Sequence, residues 1–144
     1  MQIYLFDIRM GIFESMDEVY EFYEMIMANK LTNCGPNGTC IEYKTSSSSS
    51  GQDRYIQTSR TINGRKIHAR VHRVALLKKI RQVELPDSME ASHLCHNKKC
   101  MNIDHLIAEP HDINMSRYTC AYMRTSTGDN SYCTNDHASY ENCL

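Results

Sequence analysis

The sequence predicts an α+β fold of one domain: a helix, a small antiparallel sheet, and a polar C-terminal half that needs bracing from something other than a core. Three observations predict it. A capped, amphipathic stretch follows Ser15. An Asn-Gly pair at 63–64 separates two strand-like runs. Seven cysteines and seven histidines occur in 144 residues, many of them close together from residue 93 onward. A chain of this length has room for one modest core. With 41% hydrophobic residues, no Trp and a mean hydropathy of −0.54, that core is lean.

The elements can be justified in chain order. Residues 1–13 are a short apolar lead-in. Ser15 followed by Glu18 has the capping-box pattern. Val19, Phe22, Tyr23, Ile26 and Met27 then recur at helical spacing, so a helix is expected over 16–29 with its apolar stripe on the core. Residues 33–39 (NCGPNGT) form a turn cluster, and a short strand starts at Cys40. The run TSSSSSG at 45–51 is a low-complexity, mobile loop. The basic hairpin 54–74 comes next. Its Asn63-Gly64 turn accepts positive φ at both central positions, the strongest short hairpin signal. Lys66, His68 and Arg70 alternate with Ile67, Ala69 and Val71, which gives one cationic and one apolar face. Leu76–Ile80 continues as a helix.

Charge is segregated. The net charge is −1, but Arg54, Arg60, Arg65, Lys66, Arg70, Arg73, Lys78, Lys79 and Arg81 occur with no Asp or Glu among residues 54–81. The first 30 residues instead carry Asp7, Glu14, Asp17, Glu18, Glu21 and Glu24. A polyanion responds to the local patch rather than the sum, so the hairpin is a candidate nucleic-acid surface, with His68 and His72 beside its cations. No apolar run reaches the roughly 20 residues of a membrane span. The first ten residues carry Asp7 and Arg9 and lack a signal-peptide pattern. An intracellular protein is therefore expected, nuclear if its source is eukaryotic, and its cysteines are expected to bind metal rather than to form disulfides. A secreted, disulfide-rich protein is the rival reading of the cysteine count.

Cys95, Cys100 and His105 are three ligands for one tetrahedral zinc, with either Cys34 or Cys40 as the fourth. Cys120, Cys133, His137 and Cys143 supply a complete second Cys3His set in the C-terminal loop 120–143. Zinc closed by four protein ligands cannot activate water. Any chemistry must come from neighbours, and two stand out. His93 lies two residues before Cys95. Asn114 lies at the start of a helix expected after Pro110. A neutral imidazole and a lone amide oxygen are the minimal kit for one-metal phosphodiester hydrolysis.

Ala91-Ser92-His93-Leu94-Cys95-His96-Asn97, then Cys100, Asn102, His105-Leu106 and Asn114, resemble the His-Cys box homing endonucleases. These are a zinc-stabilised branch of the His-Me finger (HNH-like) nucleases. Arg60-Thr61-Ile62-Asn63 and Val71-His72-Arg73 are weaker echoes. The resemblance implies a ββα-metal core over 89–118 and a small antiparallel DNA-binding sheet, stabilised by two structural zinc sites. It implies endodeoxyribonuclease activity with His93 as general base, Asn114 as sole protein ligand of a catalytic Mg²⁺, and Arg54 as the arginine that steadies the scissile phosphate. Arg54 stands one residue off the family spacing to Arg60. The resemblance assigns Cys40, Cys95, Cys100 and His105 to the first zinc, and Cys120, Cys133, His137 and Cys143 to the second. It lays Arg54, Arg60, Arg65, Lys66, His68, Arg70, His72 and Arg73 against double-stranded DNA. A homodimer is implied too, against which stands the end of this chain one residue after Cys143. The rival to the enzyme is a non-catalytic zinc DNA-binding module built on the same fold.

Overall fold

The computed structural model describes residues 12–35, 37–45 and 54–127. The lead-in before residue 12, the serine loop and the C-terminal zinc loop beyond residue 127 lie outside the described residues. The elements are α1 (Met16–Met27), β1 (Lys30–Cys34), β2 (Cys40–Tyr43), β3 (Gln57–Ile62), β4 (Arg65–Arg70), α2 (Val71–Ile80), β5 (Met89–His93), a 3-10 turn (Ile103–His105), β6 (Leu106–Pro110) and α3 (His111–Thr127). The strands form three separate antiparallel ladders, β1–β2, β3–β4 and β5–β6. The α+β fold and the order β5, β6, α3 match the expected ββα arrangement. Among the described residues no helix is long and apolar enough to cross a membrane.

Helix α1 begins where its cap places it. Ser15 is extended, and its side chain accepts a hydrogen bond from the Glu18 backbone. Glu18 departs from the simple capping box. Its carboxylate accepts from the Glu14 N–H at 2.8 Å and from Arg65 Nη2 at 2.7 Å, and it is buried. These contacts hold it below the ordinary carboxylate range, the Glu14 N–H foremost. The other face of α1 (Val19, Phe22, Ile26) packs with Ile62, Ile67 and the α2 residues Val74, Ala75 and Leu76 to form the core. Phe22 is fully buried and meets Phe13 edge-on at 5.6 Å. Phe22→Ala should cost about 3–5 kcal/mol, read as a lowered denaturant midpoint at unchanged slope.

The hairpin turn forms as expected, with φ 53° at Asn63 and 75° at Gly64. The strands are shorter than the alternation suggested. Helix α2 already starts at Val71, where the Val71 N–H bonds Ile56 O at 3.0 Å. Val71, Val74, Ala75, Leu76 and Leu77 bury one helical side, and that burial outweighs continued alternation. His72 and Arg73 therefore ride on a helix, not on the hairpin. Strand β1 was also not foreseen, because Asn33 (φ 58°) and Gly35 (φ 79°) put turn geometry at its end.

Candidate functional site

Strand β2 docks on the loop between β5 and β6. Met101 N–H donates to Ile41 O at 2.7 Å, Asn102 Nδ2 to Thr39 O at 2.9 Å, and Asn97 Nδ2 to Glu42 Oε2 at 3.0 Å. This docking brings Cys40 to Cys95, Cys100 and His105, and resolves the choice left open by spacing. The four ligand atoms lie within 4.8 Å of one another. His105 Nδ1 stands 3.7 Å from Cys40 Sγ and 3.4 Å from Cys100 Sγ. Zinc bonds of about 2.3 Å to sulfur and 2.0 Å to nitrogen give tetrahedral S···N edges of roughly 3.5 Å, so the donors fit that ion. The Cys95 thiol bonds the Cys100 sulfur. That contact holds the Cys100 thiol below its ordinary value and, with burial, raises Cys95. Gly35 is required here. It has positive φ, and an added Cβ would come within 3.0 Å of Cys40 Sγ. Cys34 stays outside the cluster, and its thiol donates to the backbone carbonyls of Leu31 and Thr32.

Strand β5 ends on His93, which is 8% exposed. Its Nε2 lies 2.9 Å from Cys100 O. A carbonyl can only accept, so Nε2 carries the proton and Nδ1 keeps a free lone pair. Burial holds His93 below the ordinary histidine value, and the Lys98 charge adds to this. The ring is braced by others. His72 lies 4.8 Å from it, and Tyr55 stacks on His72 at 4.8 Å. His72 is buried, held well below its ordinary value mainly by that burial, and its Nδ1 has no hydrogen-bond partner.

Helix α3 packs on the β5–β6 ladder. Asn114 Oδ1 accepts from Ser92 Oγ at 2.9 Å, and Asn114 Nδ2 donates to Glu90 Oε2 at 2.8 Å. Because a carboxylate cannot donate, this network orients the amide. Glu90 also meets His111 Nδ1 at 2.7 Å, and the Asn114 contact chiefly holds its carboxyl below the usual range. Arg117 and Glu109 form a buried two-point pair, 2.6 Å at Nε and 3.0 Å at Nη2. His93 and Asn114 line one cavity of about 100 Å³, with Tyr55, Lys98, Arg117 and Tyr118.

The family model for the zinc-binding loop region of homing endonuclease matches residues 36–144, which include the whole cluster, His93 and Asn114. The chain belongs to that family. A comparison with curated proteins finds no match. Family membership makes the protein a nuclease-related zinc module, and the Cys40–Cys95–Cys100–His105 cluster is the zinc-ligand set its name calls for.

The remaining residues divide. Lys66, His68 and Arg70 are exposed on the hairpin, and Arg73 is exposed on α2. Arg65 is tied to α1 through Glu18 and Ile12 O, and Arg60 bonds the Tyr43 hydroxyl and Thr58. Arg54 is exposed and does not line the cavity. Of the second cluster, Cys120 is buried on α3 and disulfide-bonded rather than free, and Cys133, His137 and Cys143 lie outside the described residues. Sequence reasoning missed Glu90, Ser92 and Tyr55. Glu90 and Ser92 alternate with His93 along β5, which is a signal only once the strand is known. Nothing in the sequence pointed to Tyr55.

Proposed function

We propose that this protein is a metal-dependent DNA endonuclease. One observation carries the reading: a neutral imidazole with a free Nδ1 and an oriented amide open onto one cavity. His93 Nδ1 takes a proton from a water as its oxygen attacks phosphorus, and the Nε2–Cys100 O bond holds the tautomer that can do so. Asn114, with Glu90 and Ser92 fixing its rotation, would hold a hard divalent cation such as Mg²⁺ together with substrate phosphate oxygens. Bound there, such an ion supplies Lewis-acid stabilisation of the departing 3′ oxygen. Tyr55 and His72 keep the His93 ring in place. The products expected are a 5′ phosphate and a 3′ hydroxyl.

The proposed substrate is double-stranded DNA, laid along the exposed hairpin face of Lys66, His68 and Arg70. Phosphate contacts from such a face make affinity depend on salt. Lys66→Ala should lower the slope of log affinity against log salt by about 1. Arg65→Ala should leave that slope unchanged and lower stability instead, because its guanidinium holds Glu18. Fluorescence anisotropy over a salt series and a denaturant melt separate the two effects. We also propose a second zinc on Cys120, Cys133, His137 and Cys143, and the zinc count after mild reduction tests it against a disulfide at Cys120. The test of the function itself is nicking of supercoiled plasmid in Mg²⁺ against EDTA. Linear product formed without a nicked precursor would report paired action of two copies. Gel shift without cleavage across divalent ions and DNA substrates would make the protein a binding module.

A further inference from the structure

Two hydroxyls on the cavity wall take no part in the steps above. Tyr55 precedes β3, Tyr118 lies on α3, and their hydroxyl oxygens stand 3.1 Å apart. Both side chains line the cavity that holds His93 and Asn114. Asn114 and Tyr118 are four residues apart on α3, so they share one helix face, a turn apart.

Two hydroxyls carry two protons, and the bond between their oxygens uses one. The pair makes no other hydrogen bond among the described residues, and none of the residues that line the cavity is acidic. One phenolic proton is therefore left to donate into the cavity. Burial decides which. Tyr55 is half-buried, with its ring stacked on His72 at 4.8 Å and the Arg70 guanidinium 4.8 Å from its ring centre. Burial, with the Tyr118 contact adding to it, pushes the Tyr55 hydroxyl up to about 12. Tyr55 thus keeps its proton and donates it to the Tyr118 oxygen. Tyr118 is the more exposed of the two, and its own proton is the one left over.

We propose that Tyr118 is a catalytic residue that donates a hydrogen bond to the departing 3′ oxygen of the scissile phosphodiester. The assignment rests on the nuclease reading and names a further residue of that same site. Tyr118 stands one turn along α3 from Asn114, the residue placed on the leaving-group side. In the step, the water oxygen bonds to phosphorus and its proton passes to His93 Nδ1. The bond from phosphorus to the 3′ oxygen breaks, and that oxygen leaves with the electron pair and is protonated by solvent. Tyr118 exchanges no proton. Its O–H, aimed by the bond from Tyr55, meets the negative charge that gathers on the 3′ oxygen as the bond breaks. That charge is small in the ground state, so the contact acts on the rate more than on binding.

The test uses a change of leaving atom. Cut positions of the wild type on plasmid in Mg²⁺ are mapped by primer extension. A duplex with one such site is then made with either oxygen or sulfur as the 3′ bridging atom. Single-turnover rates are measured on both, alongside DNA affinity in EDTA and zinc content per chain. Tyr118→Phe should slow cleavage of the oxygen duplex about 100-fold. On the sulfur duplex it should stay within about 5-fold of wild type, because a thiolate is a far weaker base than an alkoxide and leaves without that help. DNA affinity should stay within about 3-fold, since one contact among many contributes little to binding. Zinc content should not change. Tyr55→Phe, which keeps the Tyr118 hydroxyl and removes the bond that aims it, should slow the oxygen duplex about 10-fold. Cleavage of the oxygen duplex by Tyr118→Phe at the wild-type rate overturns the assignment alone. So does equal slowing on both duplexes, a loss that tracks lost zinc or lost DNA affinity, or a Tyr55→Phe variant slower than Tyr118→Phe. An inert wild-type protein overturns the nuclease reading, and this assignment with it.

Discussion

Removal of metal from Cys40, Cys95, Cys100 and His105 should unfold most of the C-terminal half and release β1–β2. Structural zinc binds with about 10–16 kcal/mol of apparent free energy at neutral pH, as large as the whole stability of a typical domain. The segment from Leu94 to His105 is held by the cluster and by its hydrogen bonds to β2 and the turn before it, and the two stand or fall together. Its only regular structure is a 3-10 turn, and the cluster joins it to β2. Addition of a strong chelator should therefore abolish the cooperative thermal transition seen by circular dichroism. Cys100→Ser should do the same without chelator. Cys34→Ser should leave the transition within a few degrees of wild type, because Cys34 stands outside the cluster. A melting curve unmoved by chelation, or protein that carries no zinc by mass spectrometry, would remove the metal from the account of the fold.

His93→Ala should lower Mg²⁺-dependent plasmid cleavage by about 10³-fold, within the range expected for loss of a general base. Zinc content should not change, since His93 is not in the ligand set, and DNA affinity without Mg²⁺ should change little, since one contact among many phosphate contacts contributes little to binding. The argument rests on which nitrogen is free. Cys100 O accepts the hydrogen bond from Nε2–H, and Cys100 is itself a cluster residue, so the backbone that holds the His93 ring is the backbone that the cluster holds. Metal and base are thus coupled through one residue. A His93→Ala variant that cuts as fast as wild type would return His93 to a purely structural role.

Much of this was legible because it is local. Ser15 capping α1, Asn63-Gly64 turning the hairpin, and the four-residue gaps between Cys95, Cys100 and His105 are short-range patterns, each with a direct physical meaning. The His93–Asn114 pair was legible through the family motif. The less legible parts depend on contacts distant in sequence. Helix α2 starts at Val71 rather than near Leu76 because the apolar side of residues 71–77 finds α1, a partner no local window contains. Arg65 and Arg60 read as DNA-facing cations, yet long-range partners at Glu18 and Tyr43 occupy them.

By itself, the sequence determined that this chain is a small α+β domain with a zinc-ligand set and a cationic hairpin. Periodicity, turn chemistry and ligand spacing are properties of neighbouring residues. Only the tertiary structure decided that Cys40 and not Cys34 completes the cluster, that Glu90 and Ser92 orient Asn114, and that His72 and Tyr55 gather around His93. The physical reason is that these meetings join residues from 21 to 65 positions apart, set by how α2 and α3 pack on the β5–β6 ladder and how β2 docks on its loop.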